Sequence, residues 1–81
     1  MPLVPCPCCG YRTLTAEHHY EICPICFWED DPIQFDCPGY RGGANHESLE
    51  EARQNYRTFG ACCPDMLRFV RRPTVQEEQT R

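Results

Sequence analysis

Three cysteines fall within four positions of Cys6-Pro7-Cys8-Cys9-Gly10, and two more stand in Cys23-Pro24-Ile25-Cys26. Thiols this dense serve metal ligation, disulfide frameworks or redox exchange. The two segments share the pattern C-P-x-C. In such a knuckle two sulfurs three positions apart reach one ion because the chain turns tightly between them. Proline after the first cysteine presets the turn, and a glycine such as Gly10 after the second permits a positive φ. Two knuckles brought together by a hairpin supply four thiolates in a tetrahedron, the closed geometry of a structural zinc site. One C-x-x-C is a weak signal, whereas two with a hairpin's length between them are a strong one. Cys6, Cys9, Cys23 and Cys26 are therefore expected to hold one structural Zn²⁺ ion.

The remaining chemistry-bearing residues fit less well. Cys8 sits inside the first knuckle, where the second has Ile25; it reads as a small, partly buried residue, with an alternative ligand role as the sharper option. Cys37, Cys62 and Cys63, with His46 nearby, lack knuckle spacing. Adjacent cysteines pair or share a metal only with strain, so free thiols packed around a helix are expected. His18 and His19 are expected to be exposed at a hairpin tip. CPIC resembles a thiol oxidoreductase motif, but that motif opens a long helix. Here Pro32 follows too soon, and Glu29, Asp30 and Asp31 would raise a thiol pKa rather than lower it. The same acids lack the alternating ligand loop of a calcium site. They read as an acidic, partner-facing edge beside Phe27 and Trp28, which are expected to pack on the zinc site or the helix. If exposed, Trp28 would be a natural anchor for a protein. The expected interaction surface is Trp28, Glu29, Asp30, Asp31 and Arg53. No Ser/His/Asp or Cys/His catalytic arrangement stands out, and no enzymatic activity is expected.

Positioning these residues falls to short elements. Tyr11–Thr15 alternates as a strand, residues 16–19 read as a turn, and Tyr20–Ile22 as the returning strand into the second knuckle. Pro32 forbids a long helix across residues 27–35, and residues 36–45 are loop by composition. Ser48 with Glu51 forms a capping box. Leu49, Ala52, Tyr56 and Phe59 follow at helical spacing, Glu47, Glu50 and Glu51 lie at the positive end of the dipole, and Gly60 is the expected stop. A helix is predicted over 48–59. Residues 62–73 fit either a short helix beginning at Pro64 or an edge strand. The expected fold class is a small metal-stapled α+β domain: a zinc-ribbon-like β-hairpin with two CPxC knuckles plus one C-terminal amphipathic helix. It would span residues 1–73, with a frayed tail at 74–81.

Size explains the staple. A chain of 81 residues buries only about 60% of the surface its unfolded form exposes, so a metal or disulfides are expected on that ground alone. Disulfide frameworks belong to oxidising compartments reached behind a signal peptide. The N-terminus shows no such pattern, and no run approaches the roughly 20 apolar residues of a membrane span. A soluble, cytoplasmic protein is expected. The formal charge is −4, and all eight bases are arginine; four thiolates around one Zn²⁺ would take it two units lower. A negative surface repels phosphate backbones and suits a protein partner with a basic face.

The segments CPCCGYRTL, YEICPICFWEDD, GGANHESLEEARQNYRTFGAC and VRRP, in that order, resemble the cysteine-rich CPCC family of small bacterial proteins over about Cys6 to Pro73. The resemblance implies a zinc-ribbon-like fold followed by a helix, with Cys6, Cys9, Cys23 and Cys26 as ligands, and no assigned activity. It places Trp28, Glu29, Asn45, Leu49 and Arg53 within shared motifs. The function expected is a non-catalytic protein-interaction module, such as an antagonist or immunity-type protein. The alternatives are a nucleic-acid-binding accessory protein, which would need Arg12, Arg41, Arg68, Arg71 and Arg72 on one face, and a thiol redox protein using Cys8 or Cys62.

Overall fold

Two tight knuckles, rather than a long hairpin, organise the N-terminal half of the computed structural model, which describes residues 3–78. In the first, the Cys6 N–H donates to the Tyr11 carbonyl at 2.9 Å and the Gly10 N–H to the Cys6 carbonyl at 2.8 Å. In the second, the Cys23 N–H donates to the Trp28 carbonyl at 2.9 Å and the Phe27 N–H to the Cys23 carbonyl at 2.8 Å. The repeated sequence thus builds a repeated object. Residue five of each is left-handed, Gly10 with φ 85° and Phe27 with φ 69°. Only the first knuckle has glycine where the turn wants it; Phe27 is held there, and its ring stacks on Phe69 at 5.2 Å between centroids.

Each knuckle closes its own strands. Val4–Pro5 (β1) pairs antiparallel with Arg12–Leu14 (β2), with Val4 opposite Leu14 and Pro5 opposite Arg12. Ile22 forms an isolated bridge with Glu29. The expected pairing of residues 11–15 with 20–22 does not form. Its place is taken by a side chain: Glu21 accepts from the backbone N–H and hydroxyl of Thr15 and from the N–H of Ala16. A carboxylate that caps the connection in this way competes with a strand ladder for the same donors.

Asp31 and Pro32 begin a helix that was not expected. Asp31 is extended, and its Oδ1 accepts from the N–H groups of Ile33 and Gln34, with Pro32 in the first turn. This is an N-cap followed by a proline that needs no donor, and the helix runs Pro32–Asp36 (α1). The predicted helix over 48–59 forms as Leu49–Phe59 (α2), with both halves of the capping box made and Gly60 as its left-handed C-cap. The chain then continues as a 3-10 helix, Pro64–Phe69, which resolves the choice between helix and strand. Residues expected to be frayed include a helical turn, Val75–Glu78 (α3). It is tied by the Thr74–Glu77 cap and by Arg71 to Glu77 at 2.9 Å. The first two residues of the expected domain and residues 79–81 of the expected tail lie outside the described residues.

The loop between α1 and α2 is held by one buried amide. Gln34 is fully buried, and its Nε2 donates to the carbonyls of Tyr40, Asn45 and Glu47 at 3.0–3.1 Å. Its Oε1 accepts from the N–H and side-chain amide of Asn45. Asn45 in turn binds both backbone groups of Glu29, so the second knuckle, α1 and the loop share one network. Gly43 belongs to it by omission: a Cβ there would lie 2.6 Å from Asp31 Oδ2 and 2.9 Å from Gln34 Cδ. Replacing Gln34 by Leu keeps the volume but strands several buried backbone groups. Stability should fall by about 3 kcal/mol, read as a lower urea midpoint at unchanged slope. Ile33→Ala, one position away at a side chain 58% exposed, should change it by less than about 0.5 kcal/mol.

Candidate metal centre

The two knuckles face each other, and the structure brings four of the expected ligands together. The Sγ atoms of Cys6, Cys9, Cys23 and Cys26 all lie within 4.8 Å of one another. Cys6 is 3.6 Å from Cys26, and Cys9 is 3.7 Å from Cys23. With a metal–sulfur bond of about 2.3 Å, a zinc tetrahedron has edges of about 3.8 Å. These two sulfur pairs therefore stand at the spacing such an ion requires, and the all-thiolate donor set suits a soft or borderline metal rather than a hard one. The four residues are only 0–3% exposed, so an ion held by all four sulfurs would be closed off from solvent.

The electrostatics of the cage follow from its crowding. Cys6, Cys9 and Cys26 have their thiols pushed far above the ordinary range, chiefly by hydrogen bonding with Cys23. Cys23 is pushed far below it, chiefly by hydrogen bonding from Cys26. The sulfurs hydrogen-bond one another with either partner able to donate, and the Thr13 hydroxyl lies 3.1 Å from Cys23 Sγ. Four buried thiolates can coexist only around a cation.

Later elements lock the knuckles in place. Arg53 on α2 donates from Nε to the Pro7 carbonyl at 2.8 Å, gripping the first knuckle from 46 residues away. The Cys62 N–H donates to the Cys26 carbonyl at 2.8 Å, and the Arg71 N–H to that of Pro24. Trp28 is completely buried within the same cluster as the cysteines.

Several expectations change here. Trp28, Asp30 and Asp31 cannot belong to an interaction surface, because all three are buried. Asp30 accepts the His18 N–H at 2.7 Å and lies 3.1 Å from His18 Nδ1. Asp31 caps α1 and accepts the Ala44 N–H. Asp30 and Asp31 are thus spent on backbone donors instead of facing a partner. Glu29 and Arg53 are half-buried. His18, expected to be exposed, is half-buried over Phe35, with ring centroids 4.0 Å apart, while His19 and His46 are exposed. Cys8 is buried beside the cage but outside the group of four. Cys37 is exposed, in contrast to the packed thiol expected, whereas Cys62 is buried and Cys63 half-buried. The residue overlooked is Glu47. It read as one more acid at a helix start, but it is buried, and a carboxylate oxygen lies with the sulfurs of Cys62 and Cys63 within 4.8 Å of one another.

Among the described residues, no helix is long and apolar enough to cross a membrane. A search among curated proteins finds no match to the sequence. The model of one family, described as cysteine-rich CPCC, matches residues 4–77. That span holds both knuckles, the buried network and α2, and the chain belongs to the cysteine-rich CPCC family.

Proposed function

We propose that this protein is a zinc-ribbon-like, cytoplasmic interaction module in which one structural Zn²⁺ ion, held by Cys6, Cys9, Cys23 and Cys26, replaces the hydrophobic core that the chain is too short to build. The observation that carries this reading is the enclosure of the four sulfurs, each residue at most 3% exposed. Structural zinc sites are filled by four protein ligands, whereas catalytic ones keep a position open for substrate. A buried, fully liganded ion has no place for a reactant, so the module acts by shape and charge rather than by chemistry.

A protein with a basic face, as in an antagonist or immunity-type pairing, is the partner favoured by the acidic balance. Nucleic acid is the second reading, and the arginines count against it. Of the five that would have to converge on a phosphate backbone, Arg41 pairs with Glu51 at 2.8 Å, Arg71 pairs with Glu77, and Arg12 donates to the Leu3 carbonyl at 3.1 Å. The two paired with carboxylates bring no net positive charge to a phosphate backbone, and Arg12 would have to leave its carbonyl to reach one. A thiol redox role through Cys62 is disfavoured as well, since burial, followed by the charge of Glu47, pushes that thiol well above the usual range. The reactive form of a cysteine is the thiolate.

Native mass spectrometry of the purified protein should show one tightly held zinc ion. Structural zinc of this type contributes about 10–16 kcal/mol of apparent binding free energy, more than a small domain's whole stability. Removal by chelator should therefore collapse the circular dichroism spectrum, and a folded spectrum from demonstrably metal-free protein would end the reading. Cys9→Ser and Cys26→Ser should give little soluble protein. Because thiolate ligands compete with protons, the ion should be retained at neutral pH and released on acidification, with unfolding and metal loss coinciding in one titration. Affinity capture with the tagged, folded protein should recover a basic protein; recovery of nucleic acid alone would favour the second reading.

A further inference from the structure

A second cluster of ligand atoms lies behind the first. After α2 the chain doubles back, and Cys62 is fixed at both ends: its N–H donates to the Cys26 carbonyl, and its own carbonyl accepts from Asn55 Nδ2 at 2.8 Å. Cys63 follows in extended conformation, just before Pro64 opens the 3-10 helix. Glu47 reaches them from the other end of α2, its backbone pinned where its carbonyl accepts from Gln34 Nε2 at 3.0 Å. One oxygen and two sulfurs from residues up to 16 positions apart thus converge within 4.8 Å. Adjacent residues in extended chain point to opposite faces, so this convergence is a product of the fold.

The carboxylate of the trio has no cationic partner among the described residues. Glu47 is 7% exposed, and the three ion pairs among the described residues, His18–Asp30, Arg41–Glu51 and Arg71–Glu77, do not include it. Burying a carboxylate without a counter-charge is costly, and the neutral Cys62 thiol that hydrogen-bonds it is only a weak donor. A cation bound between them resolves the conflict. The trio also lines a cavity of about 310 Å³, shared with Phe27, Met66 and the exposed His46. That gives a bound ion direct access to solvent, which the four-sulfur cage lacks.

We propose that Glu47, Cys62 and Cys63 form a second metal site for a thiophilic divalent ion of the zinc type, with three protein ligands and an open position facing the cavity. Two sulfurs and one carboxylate oxygen match the donors zinc accepts, and they exclude magnesium and calcium, which take oxygen alone. The site is independent of the first in its ligands and differs from it in kind. The first ion is enclosed and structural, whereas the second is accessible and exchangeable.

The experiment is a zinc titration of the reduced, full-length protein, followed by native mass spectrometry and repeated with Co²⁺ so that thiolate-to-metal absorption reports sulfur ligation. The wild type should bind two ions, the second more weakly. Cys63→Ser and the near-isosteric Glu47→Gln should each keep the first ion and a folded spectrum, yet bind the second at least about 100-fold more weakly, the upper end of what losing a mere supporting partner costs. Retention of the first ion in these variants separates this test from that of the four-sulfur site. A wild type that saturates at one ion in excess zinc overturns the proposal. So does a second ion whose affinity is the same in both variants, which would mark surface histidines as its ligands.

Discussion

Among the described residues, six of the eleven in the buried cluster are cysteines. Thiols are small and bring little apolar area, so their burial alone cannot carry the fold. What makes the cluster a core is the meeting of four sulfurs from two separate turns at one point. Without a cation the cage is frustrated, because four sulfurs buried this close together cannot all carry charge. A cation shared by all four would turn the same crowding into ligation. The positions of the strands, the indole of Trp28 and the approach of α2 through Arg53 all presuppose that the two knuckles are joined.

Around this centre the protein uses polar side chains where a larger domain would use apolar ones. Gln34 and Asn45 stitch a glycine-rich loop to the second knuckle, Asp31 starts one helix and holds that loop, and Glu21 closes the connection between the knuckles. Each of these groups satisfies backbone donors or acceptors that a chain with so little regular structure would leave exposed or unpaired. The acidic composition is thus partly an internal requirement of the fold. Only the acids left over, such as Asp36 and Glu50 on the surface, are available to set its external charge.

The parts legible in the sequence were those governed by local spacing. The two C-P-x-C repeats identified the sulfurs that meet, and the Ser48–Glu51 box with the stripe of Leu49, Ala52 and Tyr56 located α2 to within a residue. The strand pairing was misassigned because the knuckle is itself the hairpin turn, so the pairing residues flank each motif and do not fill the gap between motifs. The short α1 carried its signal in Asp31-Pro32, an N-cap followed by proline, which was read as a breaker instead of a start. Three acids in a row looked like a surface because the donors that Asp30 and Asp31 accept from are backbone N–H groups, such as those of His18 and Ala44, that no pattern of side chains reveals. Glu47 was invisible for a different reason: its companions lie beyond an intervening helix, and only the return of the chain brings them to it.

Every sulfur of the cage precedes residue 27, while α2 begins at Leu49. During synthesis the ligand half therefore leaves the ribosome well before the helix that will clamp it, at the roughly 5–20 residues per second of translation. Both knuckles are closed by short-range hydrogen bonds and can form as soon as they emerge. Under the proposed function, capture of the ion would come early in maturation, with Arg53, Cys62 and Arg71 arriving afterwards to close over the knuckles.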